Sequence, residues 1–152
     1  MSDAAFTILI VDDYSDTRSA LSSLLRRKGY QVIEARNGNE GVWQATQSSP
    51  DLILMDLAMP SLDGIEATRQ IRQSPKLSRT PIFAISAYAT REVRADALAA
   101  GFTEVFSKPL DFELLLSRIR AALGDPHLDR ATSKAVAEHN GQNGHDRNPF
   151  EE

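Results

Sequence analysis

Five short strand-like runs, each followed by a stretch with helical spacing, constrain this chain more than any other feature. The first run, Phe6-Thr7-Ile8-Leu9-Ile10-Val11, is almost continuously apolar, as a parallel strand buried on both faces requires. Residues 31–35, 52–55, 82–85 and 103–106 read as four more strands, the fourth opened by Pro81. Between them the period changes. Leu21, Leu24 and Leu25 fall at helical spacing in a segment closed by Lys28-Gly29, a cation followed by a C-terminal glycine. Asn37-Gly38 turns into a short helix that ends before Pro50, with Trp43 assigned to packing. Asp63-Gly64 opens a helix with Ile65, Ala67, Thr68 and Ile71 on its less polar side. An alanine-rich helix from about Arg91 to Ala100 stops at Gly101, and a last helix carries Phe112, Leu115, Leu116, Ile119 and Leu123 on one face. Five consecutive β-α units predict an α/β fold, a parallel sheet covered by helices on both sides. In such sheets ligands bind beyond the carboxyl ends of the strands, near the topological switch point.

Composition narrows the function. Hydrophobic residues make up 41% of 152, enough to bury one core without staples. There is no cysteine, so disulfides and thiolate metal sites are excluded. The longest apolar runs reach about six residues, far short of a membrane span, and the first residues lack a secretory leader's basic start. A cytoplasmic protein is expected. Residues 1–123 carry 15 acidic and 14 basic side chains, and residues 124–152 carry 6 and 3. Neither part has the basic stripe that a phosphate backbone demands, so no direct nucleic-acid partner is expected.

Four of the five strands end in residues that carry chemistry. The first ends in Asp12-Asp13, the third in Asp56, the fourth in Ser86 and the fifth in Lys108-Pro109. Taken singly, an Asp after a strand is a helix cap or a turn residue, a Ser is a local backbone hydrogen bonder, and a Lys is solvated. Taken together, three crowded carboxylates resist ionisation unless a cation neutralises them. Mg²⁺ suits such a set, being hard, oxygen-seeking and commonly bound by one or two carboxylates plus phosphate oxygens. Asp56 then has an oxygen able to attack phosphorus, Ser86 can donate to the phosphoryl group, and Lys108 can pair with its charge.

With Ile10-Val11-Asp12-Asp13, Met55 to Gly64 (MDLAMPSLDG), Ser86-Ala87 and Lys108-Pro109, the chain resembles the receiver domain of two-component response regulators over residues 5–123. The resemblance implies a flavodoxin-like (βα)5 fold with strand order 2-1-3-4-5 and a stand-alone, chemotaxis-type form. It implies that a sensor histidine kinase or a phosphotransfer protein passes phosphate from His to Asp56. By position, Asp13 and Asp56 would touch Mg²⁺ directly, the Ala58 backbone carbonyl would be a third ligand, and Asp12 would act through water. Ser86 and Lys108 would contact the phosphoryl group, and the Lys108-Pro109 bond would be cis. Output would be contact with a downstream protein, through the fourth helix, fifth strand and fifth helix, by a monomer or a phosphorylation-linked dimer.

Several positions depart from that pattern or lie outside it. Many receivers place an aromatic residue three positions before the lysine, where this chain has Val105; Phe106 follows on the opposite face of the strand. Haloacid-dehalogenase-like phosphatases, the rival reading, place a second Asp two residues after the nucleophile. Here residue 58 is alanine, so hydrolysis of an aspartyl phosphate is expected to be slow. A second rival, a constitutive pseudo-receiver, lacks site residues that this chain retains. Gly124-Asp125-Pro126 ends the last helix, a short helix is expected over 127–138, and 140–152 reads as disordered. His127, His139 and His145 are too scattered for a metal site, and Asn148 to Glu152 is read as an inert end.

Overall fold

The computed structural model describes residues 5–124. The helix expected over 127–138, the 140–152 end and the three histidines lie outside the described residues. Five strands alternate with five helices: β1 (Thr7–Val11), α1 (Ser15–Arg27), β2 (Gln31–Ala35), α2 (Gly38–Ser48), β3 (Leu52–Asp56), α3 (Gly64–Arg72), β4 (Ile82–Ser86), α4 (Arg91–Ala100), β5 (Glu104–Ser107) and α5 (Phe112–Leu123). All pairings are parallel, and the sheet order is β2-β1-β3-β4-β5, as expected. The chain leaves β1 for one edge and returns to β3 on the other side. The switch point therefore lies between β1 and β3.

Alternation along each strand divides the core in two. Leu9, Val11, Ile53, Met55, Ile82 and Ala84 face α2, α3 and α4, where Ala45, Ala67, Ile71 and Ala97 meet them. Ile8, Ile10, Leu52, Leu54, Phe83 and Ile85 face α1 and α5, meeting Leu21, Leu25, Leu115, Leu116 and Ile119. Burial on both faces is why β1, β3 and β4 read as apolar runs, whereas the edge strands β2 and β5 carry Gln31, Glu34, Glu104 and Ser107. Four of these five helices start at a side-chain oxygen: Asn37, Asp63, Thr90 and Asp111 each accept from the backbone N–H three residues on. Among the described residues no helix is long and apolar enough to cross a membrane.

Two expectations fail, one for helix phase and one for where a helix begins. Trp43 is not a packing residue; it is 57% exposed. The buried face of α2 is made by Gly38, Gly41 and Ala45, and Trp43 stands two residues from both Gly41 and Ala45, on the other side. Phe112 is 43% exposed. As the first residue of α5 it sits past the sheet's rim and lines a groove with Leu110, Pro109 and Ala20 instead of joining the core.

Candidate functional site

The strand ends converge as the topology requires. Asp12 and Asp13 follow β1, and Asp56 closes β3, its neighbour, so both flank the switch point. One carboxylate oxygen from each of Asp12, Asp13 and Asp56 lies within 4.8 Å of the others. Asp12 and Asp56 are buried, at 2% and 4% exposure, while Asp13 stands open to solvent. Ser86 is buried at the end of β4, and Lys108, half-buried, reaches in after β5 with its Nζ 3.8 Å from Asp56 Oδ1.

Local backbone geometry arranges these groups. The Ala58 N–H donates to Asp56 Oδ1 at 3.2 Å, and the Tyr14 N–H donates to Asp12 Oδ1 at 2.9 Å. The Tyr88 N–H donates to Ser86 Oγ at 3.0 Å, fixing the loop after β4 around the hydroxyl. The Lys108-Pro109 bond is cis, as the resemblance implied. Gly64 lets α3 start against β3: a Cβ there would collide with the Asp56 carbonyl oxygen and lie 2.9 Å from Leu57 Cα.

The electrostatics are those of an acidic pocket that Lys108 only partly compensates. Burial, then the Asp12 charge, push the Asp56 carboxyl up to about 6, against opposing pulls from Lys108 and the Ala58 N–H. Asp12 Oδ2 is buried and makes no hydrogen bond. A buried, unsatisfied carboxylate oxygen is costly. It is best accounted for by a cation or its bound water, and a hard divalent ion among oxygen donors fits this set.

The family model for the response regulator receiver domain matches residues 8–120. The chain belongs to this family, whose members are signalling modules rather than classical enzymes. Among curated relatives, this receiver is 37% identical over 116 residues to protein PilH of Pseudomonas aeruginosa, covering 76% of this chain and 96% of PilH. It is 36% identical over 120 residues to the chemotaxis protein CheY of Bacillus subtilis, covering 78% and 98%. Among solved structures, the receiver domain of the sensor histidine kinase PA1611 of Pseudomonas aeruginosa superposes with a TM-score of 0.74 at 33% identity, covering 79% and 98%; that structure has a magnesium ion coordinated in its active-site cleft.

Two further features lie beside the site. Val105 packs, partly buried, on the α2–α4 side of the sheet, whereas Phe106 is buried on the other side against Phe83, with ring centroids 5.2 Å apart. Phe106 therefore cannot stand in for an aromatic at 105. Arg94 of α4 instead crosses this area, donating to the Ala89 carbonyl at 3.2 Å and the Val105 carbonyl at 3.1 Å. The second feature, absent from the sequence reading, is Arg18. It lies beneath the acidic loop and donates to the Asp12 carbonyl at 2.7 Å. A cation in the first turn of a helix opposes the dipole, and that mismatch was the available signal for a partner outside α1.

Proposed function

We propose that Asp56 is the phosphate-accepting carboxylate of a Mg²⁺-dependent switch whose receiver spans residues 5–123, followed by a tail. Asp13 and Asp56 with the Ala58 backbone carbonyl would hold the ion, and Asp12 would act through a bound water. The convergence of three carboxylates with Lys108, around a buried Asp12 oxygen that lacks a partner, carries this reading. Bound Mg²⁺ supplies neutralisation of the carboxylates and of the incoming phosphoryl oxygens.

The rest is done by side chains of this chain. A carboxylate oxygen of Asp56 attacks the phosphorus of a phosphohistidine in line. The new P–O bond forms as the P–N bond breaks, and the histidine nitrogen leaves with the electron pair. Lys108 pairs with charge on the transferred group, and Ser86 turns its hydroxyl from the Tyr88 N–H to donate to a phosphoryl oxygen. Ala58 provides no side-chain acid or base for water attack, so self-dephosphorylation is slow. The phosphodonor is a sensor histidine kinase or a phosphotransfer protein, the protein works in the cytoplasm, and output is contact with a downstream protein.

Labelling from a small phosphodonor tests the metal arrangement. With acetyl phosphate, the wild-type chain is expected to become labelled in Mg²⁺ and to stay unlabelled in excess chelator. Asp13→Ala should lose the labelling at millimolar Mg²⁺. Wild-type labelling by that variant would remove Asp13 from the metal site.

A further inference from the structure

We infer that Arg18 is a positioning residue for the acidic loop, holding Asp12 and Asp13 in the arrangement that receives the cation. The inference rests on the Mg²⁺ reading above. Arg18 projects from the first turn of α1 with its side chain only 13% exposed. Its Nη1 donates to the Asp12 carbonyl at 2.7 Å, and its Nε donates to Glu34 Oε1 at 3.1 Å. Glu34 belongs to the edge strand β2, where it lies opposite Ile10 of β1. The guanidinium thus ties the loop after β1 to a strand on the far side from β3.

The other polar atoms of Asp12 show what this tie achieves. Its N–H donates to the Ala35 carbonyl at 3.1 Å, and its Oδ1 accepts from the Tyr14 N–H at 2.9 Å. With the carbonyl held by Arg18, both ends of the residue and one carboxylate oxygen are fixed. Oδ2 is the one polar atom left without a partner. The Asp12 carbonyl also shares a peptide plane with the Asp13 N–H, so fixing one fixes the direction in which the chain delivers Asp13. A planar fork with divergent donors suits a carbonyl and a carboxylate served from one side chain; an ammonium on a flexible stem does not hold the same fixed geometry.

Charge and position make opposite demands here, which renders the inference testable. Arg18 is a cation close to a site for another cation, so on Coulomb grounds alone its removal tightens Mg²⁺ binding. If its role is positioning, removal weakens binding despite the relief of repulsion. Mg²⁺ is titrated calorimetrically into chelator-stripped wild type, Arg18→Ala and Arg18→Lys at fixed ionic strength, with thermal melts run in chelator. Partners that orient metal ligands typically contribute about 10- to 100-fold in affinity. Both variants are expected to bind about tenfold more weakly than wild type or worse. Arg18→Lys, which keeps the charge, decides the matter if Arg18→Ala does not melt cooperatively. Wild-type or tighter affinity in a folded variant, even one that melts at a lower temperature, would overturn the positioning role. Failure of the wild type to bind Mg²⁺ would instead overturn the metal reading on which it rests.

Discussion

Asp56 closes a strand whose other four residues are apolar and buried, and its own carboxyl inherits that environment. In the metal-free protein its pKa rises from the ordinary carboxylate range to about 6, because burial and the neighbouring Asp12 charge outweigh Lys108. The folded state therefore holds a proton on Asp56 that the unfolded chain releases near pH 4. Stability contributed at this position falls as pH rises from about 4 through 6, and the cost is full above that. Asn keeps the shape and never ionises. Asp56→Asn should thus stabilise the metal-free protein at pH 7.5 by about 1–3 kcal/mol, with the gain vanishing below about pH 4. Urea melts in chelator at the two pH values check this. Equal stabilisation at both would mean that ionisation of Asp56 is not the cause. Added Mg²⁺ should raise the stability of wild type far more than that of the Asn variant.

At the scale of elements, the approach of α3 to β3 is set by Gly64. Alanine would favour the helix by at most about 1 kcal/mol. Its Cβ, however, would meet the Asp56 carbonyl and the Leu57 backbone, neither of which can rotate away as a flexible side chain can. Overpacking of this kind typically costs about 1–3 kcal/mol. Gly64→Ala is therefore expected to be destabilised by that order in urea, and to label more slowly at Asp56, whose carbonyl the helix would push. Unchanged stability would show that α3 can retreat at no cost.

The central strands were legible in the sequence because burial on both faces removes any ambiguity of phase: Leu9 and Ile10 serve opposite cores, yet both are apolar. Helices were less so. In α2 the buried face consists of glycines and alanine, so the largest apolar residue, Trp43, pointed to the wrong side. In α5 the spacing grouped Phe112 with Leu115, but periodicity does not reveal where a helix overruns its sheet. The candidate site was readable because a parallel sheet gathers its strand ends, so Asp12, Asp13, Asp56, Ser86 and Lys108 could be joined before any distance was known. Arg18 was not, since its two partners come from a loop carbonyl and a different strand.

For the whole molecule, the acidic pocket and the surface between α4 and α5 are separate regions. The acidic pocket lies at the carboxyl ends of β1 and β3, while Arg94, Val105 and Phe106 line the surface between α4 and α5. Ser86 and the loop after it join the two, since Ser86 Oγ holds the Tyr88 N–H and Arg94 holds the Ala89 carbonyl. These backbone tethers link the Ser86 hydroxyl to α4 through the loop between them. The proposed switch depends on phosphate arriving at one carboxylate. Intact-mass measurement after incubation with acetyl phosphate and Mg²⁺ tests that most directly. Wild type is expected to gain a single phosphoryl group that is lost at alkaline pH, and Asp56→Asn to gain none. Retention of the added mass by Asp56→Asn would contradict the account.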